Sequence, residues 1–289
     1  MRLASRSWGG RDHVGSVSAC GREVTPLAVA DAAMGLMPLI EALPRGEALP
    51  HAQGVRMPVE VLQLRAPLPR PRRNLLCVGR NCHAHAAELA SSVFRDYIAK
   101  DEGWLIVFTK MPECVVGPHD EVRLPGAAVS TQIDCESELA VIIGRGGRNI
   151  GRAQEMQHVF GCTVLNDLSA SDVQMRHQQW DLGKSFDSFC PMGPWIVTAD
   201  ELDGRDTRVR GWVNGELSQD GRTRDLIFDT PTLIETCSRG ITLFAGAIIA
   251  TGTPAGAGMG FDPPRYLQAG DVVRIEIDGI GVNDNCFVY

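Results

Sequence analysis

The sequence predicts an α+β protein, mainly β, in which a small N-terminal domain (residues 1–66) precedes a larger one (67–289). Three observations predict it. Apolar runs are short and β-branched, and Gly, Pro or Asn-Gly punctuate them, the pattern of strands between turns. Segments with helical spacing are short. A proline-rich stretch, Ala66-Pro67-Leu68-Pro69-Arg70-Pro71-Arg72, divides the chain, and its prolines favour an extended, exposed path. With 289 residues, 44% of them hydrophobic and 22% charged, the composition is that of a globular protein able to bury a large core.

Taken in order, residues 14–20 and 22–24 read as a hairpin about Gly21. Residues 28–43, rich in Ala and Met at helical spacing, read as a helix stopped by Pro44. His13 and His51 read as surface residues. After the proline-rich stretch, residues 74–81 form a short strand ending in a Gly turn, which leads into the helix-favouring run 82–90. Residues 104–110 are another strand, and residues 133–144 a buried one closed by Gly144. A short helix is expected at 152–159 and a buried strand at 159–167, ending on Asp167. Strands at 208–213 and from 216 onward flank Asn214-Gly215, the strongest short hairpin signal. Thr230 reads as the cap of a helix with Pro231 at its first position, running to about residue 237 and stopped by Gly240. Residues 241–251 read as one long apolar strand, and 271–277 and 282–288 close the sheet.

Composition excludes several function classes. A formal charge of −7 argues against nucleic-acid and anionic-membrane partners, and prolines interrupt the one basic cluster, residues 65–73. No apolar stretch approaches spanning length, and the opening residues carry no signal-peptide core. Nine cysteines without a CxxC pair suit reduced thiols and a cytoplasmic location.

Chemistry concentrates in a few segments. Glu136 and Glu138 lie two apart on the 133–144 strand, so their side chains point to one face. Burying two unpaired carboxylates together costs several kcal/mol, and a divalent cation between them removes that cost. A solvated pair at a strand start is the alternative. Asp167, at the end of a second strand, is either a third ligand or the cap of the following turn. Three oxygen ligands with no His or Cys suit Mg²⁺ or Mn²⁺ and not zinc. His85 and Glu88 stand three apart on a helix, where the carboxylate can fix the imidazole tautomer for proton transfer; an exposed polar pair is the alternative. His83 falls off that face and is expected in solvent. Lys184 sits among apolar and small residues in 180–187, either buried against an anion or on a surface loop. The loop 251–258, rich in Gly, lets backbone amides approach an anion but matches no nucleotide fingerprint.

Six motifs, in order, carry a family resemblance: Val78-Gly79-Arg80-Asn81 with His85 and Glu88; Glu136-Ser137-Glu138-Leu139-Ala140; Asn166-Asp167-Leu168-Ser169-Ala170 with Asp172 and Gln174; Gly183-Lys184-Ser185-Phe186-Asp187; Val213-Asn214-Gly215-Glu216; and Thr251-Gly252-Thr253-Pro254. Over roughly residues 74–289 the chain resembles the fumarylacetoacetate hydrolase family. The resemblance implies a mixed β-sandwich roll as catalytic domain, a homodimer, and Mg²⁺ or Mn²⁺ held by Glu136, Glu138 and Asp167. It implies that His85 and Glu88 form the catalytic dyad on a lid, with Lys184 as a further catalytic residue. Arg80, Gln174, Thr253 and Ser171 are assigned to the substrate site. Two positions depart from the family pattern: Cys82 replaces a usual aromatic residue and Ser171 a usual arginine that binds an anionic substrate. A compensating cation would be Arg176 or Arg80.

The activity this implies is hydrolysis of a carbon–carbon bond in a 2,4-dioxo acid of acylpyruvate type, giving pyruvate and a carboxylic acid, in aromatic or sugar-acid catabolism. The partner is then a small keto acid. An alternative on the same scaffold is isomerisation of hydroxymuconate-type acids or decarboxylation of oxaloacetate. Those reactions need no attacking water, so loss of His85 should spare them relative to hydrolysis. A third reading is a catalytically silent metal-holding protein, which would have no use for the His85/Glu88 pair.

Overall fold

The computed structural model describes residues 1–91, 104–176 and 179–289. The chain opens with β1 (Arg2–Trp8), β2 (Arg11–Val17) and β3 (Glu23–Leu27), then helix α1 (Met37–Ala42) and the short strands β4 (Met57–Pro58) and β5 (Gln63–Arg65). Strand β6 (Leu75–Gly79) leads into α2 (His83–Ser91), followed by β7 (Ile106–Lys110), β8 (Val115–Val116) and β9 (Val122–Arg123). The central elements are β10 (Ile133–Asp134), β11 (Ser137–Ile143), β12 (Val159–Asn166), β13 (Ser169–Ala170), α3 (Ser171–Arg176), α4 (Asp181–Lys184) and β14 (Cys190–Thr198). The last part holds β15 (Arg208–Val213), β16 (Glu216–Arg222), α5 (Thr230–Ser238), β17 (Ile248–Ala250), β18 (Val272–Ile277) and β19 (Gly281–Val288).

Among the described residues these strands form a twelve-stranded sheet with the central order β4-β3-β2-β1-β14-β12-β11-β17-β6-β7, with β5 added on β1 and β8 on β14. A five-stranded sheet, β16-β15-β18-β19-β9, packs against it. Parallel pairs (β17 with β6, β14 with β8, β19 with β9) occur among antiparallel ones, so the sheets are mixed as expected.

The apolar centre is β11, where every residue is buried. Alternation splits it into two faces. Ser137, Leu139 and Val141 turn toward the five-stranded sheet, so closely that any side chain at Gly211 would collide with Ser137 Oγ. Glu138 turns the other way, with Ala140 and Ile142 on its face. Antiparallel pairing with β12 sets Ser137 opposite Asn166 and Glu138 opposite Leu165. One step beyond, the amide of Asp167 donates to the Glu136 carbonyl at 2.9 Å. Register therefore delivers three carboxylates to one end of two neighbouring strands.

Several local expectations change. The N-terminal strands are not hydrogen-bonded apart from the rest: Arg2 of β1 pairs with Val197 of β14. The proline-rich stretch is not an exposed path, since Ala66, Leu68 and Pro71 are buried. Residues 28–43 hold α1, a 3₁₀ turn at Ala32–Met34 and the start of another at Leu43–Arg45. Gly35, at φ 61°, packs against the carbonyl of Pro67, which also accepts from Leu36 N at 2.8 Å, and this breaks the helix. Residues 241–251 contribute only β17, because Gly246 turns at φ 81° before it. Residues 152–159 make a single 3₁₀ turn at Glu155–Gln157. The Asn214-Gly215 hairpin forms as expected, with both residues at positive φ.

Helix α5 is capped by Asp229, not Thr230: the Asp229 carboxylate accepts from Thr232 N at 3.0 Å and pairs with both Arg152 guanidinium nitrogens, at 2.9 and 2.6 Å. Partial burial pushes the Asp229 carboxyl up, but the Arg152 and Thr232 bonds outweigh it and hold it below the usual carboxylate range. A depressed carboxyl contributes stability that is present above its unfolded pKa and lost as pH falls through the folded value. Asp229→Ala should therefore cost about 1 kcal/mol at neutral pH. In urea denaturation the difference from the parent protein should shrink in acid; a difference that persists when Asp229 is protonated would contradict the capping assignment.

Candidate metal and acid–base site

Among the described residues, one oxygen-ligand cluster stands out. Carboxylate oxygens of Glu136, Glu138 and Asp167 all lie within 4.8 Å of one another. Asp167 and Glu138 are buried, and Glu136 keeps 12% of its side-chain surface, so the group opens on one side only. Asp167 is not a cap. Its Oδ1 faces Lys110 Nζ at 2.8 Å and its Oδ2 faces Lys184 Nζ at 3.1 Å. Lys184 also reaches Glu136 Oε2 at 2.8 Å, so this lysine is buried against the carboxylates and does not lie on a surface loop.

Charge decides the electrostatics. Burial pushes Asp167 up, but Lys110 and Lys184 outweigh that and hold its carboxyl below the usual range. Both lysines are opposed by burial and nonetheless raised, Lys110 by Asp167 and Lys184 by Asp167 and Glu136. Glu138 is pushed well above the ordinary range, first by burial and then by the charges of Asp167 and Glu136. Its Oε2 still accepts from the Gly252 amide at 2.8 Å. Three hard oxygen donors, one of them left with too little positive charge, fit a divalent oxygen-seeking cation such as Mg²⁺ or Mn²⁺.

The cavity above this cluster is lined by Val78, Arg80, His85, Glu136, Glu138, Gln174, Lys184, Thr253 and Met259, with Gly79, Phe108 and Trp180 as an apolar wall. Phe108 and Trp180 pack with ring centroids 5.3 Å apart, and Lys184 Nζ lies 4.8 Å from the Phe108 centroid. Gly79 is required here, because a side chain would enter the Trp180 ring. His85 is 4% exposed, and its Nδ1 lies 3.2 Å from Glu88 Oε2. Its other ring nitrogen is left for the cavity. His83 is exposed, as its position on the helix implied.

Helix α2, which carries the pair, leaves from a fixed base. Asn81 Nδ2 donates to the carbonyls of Phe228 (2.9 Å) and Thr251 (2.7 Å), and its Oδ1 accepts from Phe228 N at 2.8 Å.

The remaining expected residues divide. Arg80 and Gln174 line the cavity, and Gln174 Oε1 is buried with no protein partner. Arg80 holds φ 54°, an uncommon backbone for a side chain of this size and one that recurs at functional sites. Thr253 lines the cavity, but its hydroxyl accepts from Gln219 Nε2 at 2.7 Å and lies 3.2 Å from the Ser137 carbonyl. Ser171 is buried in the first turn of α3 and does not reach the cavity wall. Arg176 points away, 66% exposed and 3.8 Å from Asp172. Of the two cations that could replace an arginine at position 171, only Arg80 lines the cavity.

Sequence reasoning missed Lys110. Alternation along β7 puts it on the buried face with Phe108, and a lysine at such a position was the available signal. Lys110 Nζ also donates to the carbonyls of Leu168 (2.9 Å) and Lys184, so it joins Asp167 to α4. Lys110→Met leaves Asp167 with one ion partner fewer in a dry setting and should destabilise the fold by roughly 3–5 kcal/mol. Urea denaturation measures this; a loss below about 1 kcal/mol, the range of an exposed pair, would show the ion pair to be dispensable.

Comparison with known proteins identifies the family. Residues 74–288 match the family model described as fumarylacetoacetate (FAA) hydrolase C-terminal. The oxaloacetate tautomerase YisK of Bacillus subtilis (strain 168) is 45% identical over 225 residues, 78% of this chain and 72% of that protein. A mitochondrial oxaloacetate tautomerase of Rattus norvegicus is 38% identical over 279 residues, 93% of this chain and 85% of its own. Among solved structures, the fumarylacetoacetate hydrolase of psychrophilic Exiguobacterium antarcticum superposes with TM-score 0.85 at 37% identity, covering 100% of this chain and 99% of that one. The 5-carboxymethyl-2-hydroxymuconate delta-isomerase of Mycobacterium smegmatis gives 0.80 at 30% identity, over 100% and 99%. With the match spanning most of its length, the chain belongs to the fumarylacetoacetate hydrolase family of enzymes.

Proposed function

We propose that this protein is a divalent-cation-dependent tautomerase of a short 2-oxo dicarboxylic acid of the oxaloacetate type, interconverting its keto and enol forms. This replaces carbon–carbon bond hydrolysis, the leading expectation from sequence, with its alternative. The observation that carries it is the arrangement of charge: a cluster of three carboxylates with Lys184 against it, and Arg80, Gln174 and His85 lining the cavity beside it. Cationic and hydrogen-bonding groups around hard oxygen ligands suit a compact oxo acid whose proton His85 can move. The likeness to oxaloacetate tautomerases and a hydroxymuconate isomerase supports the same reading.

Glu136, Glu138 and Asp167 would hold Mg²⁺ or Mn²⁺, which when bound supplies Lewis-acid stabilisation to the enolate oxygen. Everything else falls to the protein's own groups. His85, with Nδ1 held by Glu88, takes the proton from the substrate's C3 and delivers it to the 2-oxo oxygen to give the enol, and the reverse transfer restores the keto form. Lys184 and Gln174 face the 2-oxo oxygen and stabilise charge that develops there. Arg80 takes the distal carboxylate, in the role that Ser171 cannot fill.

Decay and appearance of the enol form of oxaloacetate, followed by ultraviolet absorbance with Mg²⁺ or Mn²⁺, tests the reading. Glu136→Gln should abolish metal-dependent turnover, and titration calorimetry should show Mn²⁺ binding lost; full activity of that variant after chelation would sink the metal role. His85→Ala should slow tautomerisation by about 10²-fold; this departs from the expectation that loss of His85 spares reactions without an attacking water, because enolisation still needs a base at C3. Arg80→Gln should raise KM for the dicarboxylate by about 10–100-fold, the value of a charge-assisted hydrogen bond, and leave a monocarboxylic 2-oxo acid unaffected.

One observation favours hydrolysis as a second reading. The 3.2 Å His85–Glu88 contact is also an arrangement that activates water. Release of pyruvate from acylpyruvates faster than oxaloacetate tautomerises would establish that reading in place of the first. A homodimer remains part of the proposal, with sedimentation as its check.

A further inference from the structure

We propose that Asp134, which the function above does not use, is a positioning residue: its buried carboxylate pins the turn that catches Glu88 and thereby sets His85. The inference rests on the His85/Glu88 reading and goes one step behind it. Asp134 ends β10 and is 1% exposed. Its Oδ1 accepts from Gly258 N at 2.6 Å and its Oδ2 from Met259 N at 2.8 Å. Both oxygens are thus spent on two consecutive amides of the 3₁₀ turn Gly258–Gly260.

The upper side of the same segment receives α2. The Gly256 amide donates to both carboxylate oxygens of Glu88, each at 3.2 Å. At Gly260 a side chain would collide with the Glu88 carboxyl, and at Gly258 with the carbonyl of Arg265. The turn therefore has glycine where Glu88 and the chain press on it, one amide aimed at Glu88, and Met259 lining the cavity. Such a backbone has little intrinsic preference for one conformation. Two charge-assisted hydrogen bonds to one rigid buried carboxylate supply the missing preference. The sequence of contacts runs from Asp134 to the turn, from Gly256 to Glu88, and from Glu88 to His85.

Asp134→Asn keeps the shape but sets an NH₂ against one of the two amides, so one bond is lost and two donors face each other. Backbone amides of residues 83–88 should then exchange with deuterium about tenfold faster, reporting release of α2. Oxaloacetate tautomerisation should lose about tenfold in kcat, with KM and calorimetric Mn²⁺ affinity within about twofold of the parent. Asp134→Asn combined with Glu88→Gln should be no slower than Glu88→Gln alone, since both act through one contact. If Asp134→Asn does not fold, Gly260→Ala, which displaces Glu88 from the same turn, must reproduce the exchange and kcat effects with Mn²⁺ affinity unchanged.

Unchanged exchange in the variant, or additive losses in the double variant, would overturn the proposal. A slow Glu88→Gln beside a normal Asp134→Asn would remove Asp134 and leave the acid–base pair standing. A normal Glu88→Gln would remove both.

Discussion

Three carboxylates and two lysines are gathered where β11 begins and β12 ends, and much of the structure follows from keeping that group neutralised. Glu136, Glu138 and Asp167 are brought within 4.8 Å by strand register. Lys110 and Lys184 come from β7 and α4 to meet them. Isolated, any one of these charges would be costly in a dry interior; together they fix the relative placement of four elements. Glu138, the member pushed furthest from its ordinary range, marks where positive charge is still lacking. A divalent cation would fill that place.

The functional face is built against this group from backbone rather than from long side chains. Gly79 lets Trp180 close the apolar wall, and the Gly252 amide reaches Glu138. Gly260 lets the segment 256–260 sit directly on Glu88, and the Gly256 amide bonds to it, while the absent Cβ of Gly252 and Gly256 makes room for Asn81 and the Ser218 carbonyl. A loop that resembles an anion cradle in the sequence thus serves mostly to receive protein carboxylates. Those carboxylates, Glu138, Glu88 and Asp134, belong to three different segments, and the loop holds them in register with one another.

How the site bears on chemistry depends on which charged groups face the cavity. The Phe108–Trp180 wall and Met259 narrow the cavity, and α2 closes over it on the base that Asn81 provides. Two cations facing the cavity, Arg80 and Lys184, suit a small dianion better than an uncharged acyl chain. That is the physical reason for placing proton transfer ahead of hydrolysis, and the likeness to oxaloacetate tautomerases agrees with it.

By itself the sequence determined the mixed, mainly β fold class, the Asn214-Gly215 hairpin and Glu136, Glu138 and Asp167 as candidate oxygen ligands. The first two are set by local period and residue chemistry; the strand expected over 133–144 instead breaks into β10 and β11, and Glu136, in that break, is brought beside Glu138 with its carbonyl accepting from the Asp167 amide. The family motifs then tied distant segments together. Tertiary structure alone decided the rest. It showed Lys184 buried rather than exposed, Asp167 paired rather than capping, Lys110 buried against Asp167, and Asp134 buried against the amides of Gly258 and Met259. It also showed that Ser171 misses the cavity while Arg80 lines it. The N-terminal strands joined the main sheet, and the supposed long strand at 241–251 shrank to three residues. The reason is the same in each case. Whether a charge is buried or a run of apolar residues is paired depends on what packs across from it, and no window of the chain contains its own partner.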